Sequence, residues 1–63
     1  MTKEQYERIA TRWHDEIRDN MIYDSHVYSG PDWVDGHIEL GIDGHVWVDR
    51  MVDIVLEEID KGV

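Results

Sequence analysis

Residues 35–49 read DGHIELGIDGHVWVD, and the phrase Asp-Gly-His stands in them twice, at Asp35–His37 and at Asp43–His45. Asp-Gly between β-forming residues is a strong hairpin signal, because a type I′ turn needs φ > 0 at both central residues. Whichever copy takes that turn sets the strand register, and a one-residue slip exchanges the two faces of a sheet. We read the second copy, between Ile42 and His45, as the turn. Gly36 of the first copy then lies inside a strand, where it marks a bulge or a close backbone approach. This makes His45–Val48 a short third strand, with Trp47 beside Leu40 on the core face. A competing reading takes Asp43 as the N-cap of a helix running directly to Lys61.

Upstream, IYDSHVYS (22–29) and DWVDGHIELGI (32–42) flank Ser-Gly-Pro-Asp, and Gly30-Pro31 is strong turn punctuation. In the second run Val34, Ile38, Leu40 and Ile42 point one way, while Asp35, His37 and Glu39 point the other. Pairing Val27 with Val34 places Tyr23 against Ile38 on the apolar side. The same register sets His26 opposite Asp35 and Asp24 opposite His37. Val46, Val48, Tyr28 and Trp33 then lie on the sheet face away from the helices, an uncovered apolar face that suits a partner or a dimer contact.

The flanking segments are helical in pattern. Tyr6, Ile9, Ala10, Trp13 and Ile17 recur at the helical period, Thr2 and Gln5 have the form of a capping box, and Asn20 is a stop that tolerates the left-handed conformation. This predicts a helix over 3–19, with Glu4–Arg8 and Arg12–Glu16 paired along its exposed face. From Asp49, a plausible N-cap, Met51, Val52, Val55, Leu56 and Ile59 form a second apolar stripe, and Gly62 stands as the C′ residue. The expected fold is a single α+β domain over 1–63, in the order α-β-β-β-α. A three-stranded antiparallel meander carries both helices on one face; the alternative is α-β-β-α with a two-stranded hairpin.

Sixty-three residues without cysteine exclude a disulfide framework and a thiolate zinc site. The core of so short a chain is marginal, and self-association is one remedy. No run of about 18 apolar residues is present, which excludes a membrane-spanning helix. The N-terminal residues lack the apolar run of a signal peptide, so a cytoplasmic, intracellular protein is expected. The net charge of −9 argues against direct binding of nucleic acid or of anionic membranes. It favours a basic partner. Residues 1–20 hold four bases against five acids, whereas residues 21–63 hold only Arg50 and Lys61 against ten acids.

Candidate chemistry follows from these groups. Asp24, His26, Asp35 and His37 could share one strand face, and imidazole with carboxylate suits a divalent metal. Cross-strand His–Asp pairs are more often plain surface pairs, and no HExxH or Cys–His spacing is present. The same histidines, beside carboxylates, would make any charge-based binding weaken as pH falls. No nucleophile elbow or phosphate-cradling loop occurs, a chain this small has little interior for a ligand pocket, and no cofactor is implied; an enzyme is not expected. The strongest feature is on the second helix, where Asp49, Asp53 and Glu57 recur every fourth residue, with Asp60 beyond. Steps of four residues set these carboxylates roughly 6 Å apart, of the order of phosphate spacing along a nucleic-acid strand. Asp32, Asp35, Glu39 and Asp43 extend the field if the sheet edge lies adjacent. The plain alternative is a solvated face that maintains solubility.

In small size, strong acidity and lack of cysteine, the chain resembles phage or mobile-element counter-defence inhibitors, such as anti-restriction and anti-CRISPR proteins. The resemblance implies a nucleic-acid mimic that occupies the basic groove of a DNA- or RNA-binding protein, with Trp33 and Tyr28 as apolar anchors. A small dimerising assembly module and a His/Asp metal-binding protein are the other two readings.

Overall fold

The computed structural model describes residues 1–20 and 24–61. Helix α1 (Lys3–Asp19) is followed by strands β1 (Ser25–Val34) and β2 (His37–Gly44) and by helix α2 (Val48–Lys61). The strands form a two-stranded antiparallel sheet, so the fold is α+β in the order α-β-β-α. The two-stranded alternative holds and the three-stranded meander does not. Tyr23 and Gly62, assigned above to a strand face and a helix stop, lie outside the described residues.

The hairpin turn falls on the first Asp-Gly rather than the second. Asp35 has φ 52° and Gly36 φ 80°, both positive as a type I′ turn requires. The ladder runs from Val34↔His37 through Trp33↔Ile38 and Asp32↔Glu39 to Val27↔Ile42, His26↔Asp43 and Ser25↔Gly44. Gly30-Pro31 does not turn the chain; it lies within β1 at an irregularity between Ser29 and Asp32. Proline has no N–H for a ladder, and bulges are among the few strand positions that tolerate it. This register brings Trp33, Ile38, Val27 and Ile42 to one face, which the expected pairing of Val27 with Val34 could not do.

The second Asp-Gly ends β2. Gly44 has φ 106°, and a Cβ there would collide with the Asp24 carbonyl and come within 2.8 Å of the Ser25 Cα. The His45 N–H donates to that same Asp24 carbonyl at 2.7 Å, after which the chain leaves as coil. Residues 45–47 are therefore neither strand nor helix. Val46 packs against the core and Trp47 is half exposed, the reverse of the expected placement. Because a Cβ at Gly36 would meet nothing within 4 Å, Gly36→Ala should cost only the backbone penalty, roughly 1–2 kcal/mol. Gly44→Ala adds a collision to that penalty and should lower the melting temperature more. Equal losses in thermal melts would contradict this division of labour.

Helix α1 forms as its sequence dictates. The Gln5 N–H donates to Thr2 Oγ1 at 3.1 Å and the Thr2 N–H to Gln5 Oε1 at 2.7 Å, a complete capping box. Asn20 caps the other end in an extended conformation (φ −100°), not a left-handed one. Ile9, Ala10 and Ile17 of its stripe are buried, Trp13 partly so, and Tyr6 remains exposed. Helix α1 is the hub: its backbone approaches both strands and α2, whereas the backbones of α2 and of the strands stay apart. The innermost cluster is Ile17, Met51 and Ile54, with Trp13, Val27, Leu40, Ile42 and Val46 packed around it. The Trp13 indole N–H donates to the Met51 carbonyl at 3.1 Å, which ties α1 to the first turn of α2.

Helix α2 starts two residues earlier than an Asp49 cap would give, the Trp47 carbonyl accepting from the Met51 N–H, so Asp49 lies in the first turn instead of at the cap. Its buried face is Met51, Ile54 and Glu58. Of the predicted stripe only Met51 is buried and Val55 half-buried; Val52, Leu56 and Ile59 are exposed. The helix is rotated toward α1, because the arginines there receive Glu58.

Candidate interaction surface

Salt bridges gather where the two helices meet. Glu58, only 2% exposed, accepts from Arg8 Nε at 3.2 Å and from a terminal nitrogen of Arg12 at 3.2 Å, and lies 3.5 Å from Lys61 Nζ. Arg12 also donates to Glu57, and Arg50 Nε donates to Glu16 at 2.6 Å. The Arg12–Glu16 pair expected within α1 is therefore replaced by contacts between helices, while Glu4–Arg8 is present at 3.9 Å. Burial alone would raise the pKa of Glu58 and is its largest single influence, but the hydrogen bonds from Arg8 and Arg12, with Lys61 nearby, outweigh it and hold the carboxyl below its ordinary value. The hydrogen bond from Arg12 likewise lowers Glu57. Lys3 stacks 5.2 Å above the Trp33 ring and Arg18 pairs with Asp19, so each of the six cations makes an intramolecular contact.

Around α2, 100° per residue sorts the side chains into four faces. Beside the buried face lies an exposed apolar row of Val48, Val52, Leu56 and Ile59, from 40% to 71% exposed. Next comes the acidic row Asp49, Asp53, Glu57 and Asp60, then Arg50 and Lys61. Among the described residues Asp49, Asp53 and Asp60 make no ion pair, while Glu57 is held by Arg12.

The hairpin carries the other acids. The register places Glu39 directly opposite Asp32 and Asp43 opposite His26 on its outward face, with Asp35 exposed in the turn. Like charges directly opposite are destabilising, so the Asp32–Glu39 pair is retained at a local cost. Tyr28 is 66% exposed and lies beside Gly41, where a Cβ would come within 2.7 Å of its ring. Trp33 is not on this face. It shares the helix side with Ile38, and its indole N–H donates to Glu7 Oε1 at 2.9 Å. Trp33, Tyr28, Val46 and Val48 therefore form no common dimer face. The extension of the acidic field onto the hairpin required an adjacent sheet edge, and the backbones of α2 and of the strands stay apart.

The register also separates the metal candidates. His26 sits at the open end of the hairpin and His37 at the turn, while Asp24 lies 3.8 Å from His45. No group of three or more potential ligands gathers among the described residues. A groove of about 330 Å³ does open on the apolar side, lined by Tyr6, Ile9, Trp13, Ile38, Leu40 and Val55 among others. It is larger than the sequence led us to expect. No described helix is long and apolar enough to cross a membrane. Comparison with protein-family models, curated proteins and solved structures finds no match to the chain.

The sequence missed Glu58 as an organising residue and the exposed row of α2. A usable signal was present: Glu58 stands in the inward series 51, 54, 55, 58, and α1 presents Arg8 and Arg12 one turn apart.

Proposed function

We propose that the protein is a non-enzymatic acidic interaction protein that occupies a basic groove of a nucleic-acid-binding protein, as a nucleic-acid mimic of counter-defence type would. The observation that carries this reading is the asymmetry of pairing. Every cation is used inside the molecule, whereas Asp49, Asp53 and Asp60 on α2 and Asp32, Asp35, Glu39 and Asp43 on the hairpin have no ion pair among the described residues. The Asp32–Glu39 pair adds support, since a surface that served solubility alone would gain by separating them. Such a surface steers a basic partner and makes association salt-sensitive.

The test is capture from a cell extract on the immobilised protein, with elution by excess oligonucleotide and, separately, by salt. Basic nucleic-acid-binding proteins should be retained at low salt and displaced by both. The triple variant Asp49→Lys, Asp53→Lys, Asp60→Lys should retain none, with its melting temperature preserved. Glu57 is left intact because reversing it would disturb Arg12. Retention that neither oligonucleotide nor salt reverses would overturn the proposal.

A further inference from the structure

We propose that the exposed row Val48, Val52, Leu56 and Ile59 of α2, with the groove beside it, is a docking site for a basic amphipathic helix of the partner. This inference rests on the acidic reading above and deepens it by naming the partner's chemistry. The four side chains recur at i, i+4, i+8 and i+11, a straight ridge spanning about 16 Å, which matches the anchor spacing of helix recognition. They are exposed although they continue the apolar side of the helix. Val55 joins the row to the groove, whose other walls are Ile38 and Leu40 of β2 and Tyr6 and Trp13 of α1. An apolar surface of this extent on so small a chain marks a contact site.

Charge selects the occupant. The acidic row borders the apolar row along one side for the length of the helix. In a two-fold antiparallel pairing of α2 with a second copy, that border would face itself, and Asp53 with Asp49 and Asp60 would meet like charges. An anionic lipid surface is opposed for the same reason. A helix with leucine-like residues on one face and Lys or Arg along the adjoining flank satisfies both rows together.

The probe is a synthetic helical peptide of about 18 residues, five turns long, with a leucine row flanked by lysines. Comparison peptides are a scrambled one of the same composition and one with glutamine for lysine. Binding is measured by calorimetry, and self-association by sedimentation. The amphipathic basic peptide should bind roughly tenfold or more tighter than either comparison peptide, a difference readily resolved as affinity. The double variant Val52→Ser, Leu56→Ser should lose that advantage at an unchanged melting temperature, since both side chains are exposed. Equal binding of the scrambled peptide, sensitive to salt and to the Asp49/Asp53/Asp60 reversals, overturns the docking site but leaves the acidic reading standing. Equal binding of the glutamine peptide overturns the basic partner for this row. A concentration-dependent dimer abolished by Val52→Ser, Leu56→Ser would assign the row to a second copy instead.

Discussion

Ile54→Ala is expected to remove most of the protein's stability. Ile54 is 1% exposed and sits between Ile17 and Met51 at the point where α2 meets α1. Truncating a buried isoleucine costs about 2–5 kcal/mol through lost transfer energy and the cavity left behind. At about 0.05–0.15 kcal/mol per residue, a chain of this length has only roughly 3–9 kcal/mol in all. The variant should therefore lose the greater part of that margin in urea titrations, while Ile54→Val should lose only about 0.5–1.5 kcal/mol. Leu56→Ala is the informative contrast. The sequence pattern placed Leu56, and not Ile54, in the apolar stripe, but at 58% exposure Leu56→Ala should change stability by no more than about 0.5 kcal/mol. Equal losses at 54 and 56 would mean that α2 presents the wrong face to α1.

That contrast shows what the sequence could and could not reveal. Helix α1 was legible because its apolar residues fill one stripe and its cap is a local motif. Helix α2 was legible as a helix but not in its rotation. Its apolar residues cover two adjoining faces, and any stripe of about 100° drawn through them is self-consistent. The choice between faces was made by Glu58, whose charge disguises an inward position and whose partners lie 46 and 50 residues away. The hairpin failed in a different manner. The turn rule was right, but two copies of Asp-Gly offered it, and Gly30-Pro31 imitated a turn while acting as a bulge. Flanking context decides such cases: the first copy has strand partners on both sides, whereas the second opens onto a coil that enters α2. Of the candidate site, the acidic row of α2 was visible from spacing alone. The exposed apolar row beside it was not, because Val52, Leu56 and Ile59 read as core and Val48 as the end of a strand.

Glu58→Gln is expected to lower the melting temperature at neutral pH and to flatten its dependence on acid. The substitution keeps the shape of the side chain but leaves Arg8 and Arg12, themselves 49% and 30% exposed, facing a neutral group at a buried position, and loss of the charge weakens both hydrogen bonds. Because the Glu58 carboxyl is held below its ordinary value of 4.5 in the folded protein, the unfolded chain binds more protons in the window just below that value, and stability there rises with pH. The contribution of Glu58 is complete above about pH 4.5 and is lost as pH falls through its folded pKa; Glu57, lowered in the same direction by Arg12, adds to the loss. A competing effect runs the other way. As pH falls toward the isoelectric point near 4.5, repulsion among the surplus acids relaxes, which favours the compact state. Wild-type melting temperature alone mixes the two. The difference between wild type and Glu58→Gln separates them, because the surface acids are common to both proteins. That difference should be large and constant from pH 8 to pH 5 and should shrink below pH 4.5. A difference independent of pH would show that Glu58 stabilises the helix pair through its shape, not its charge.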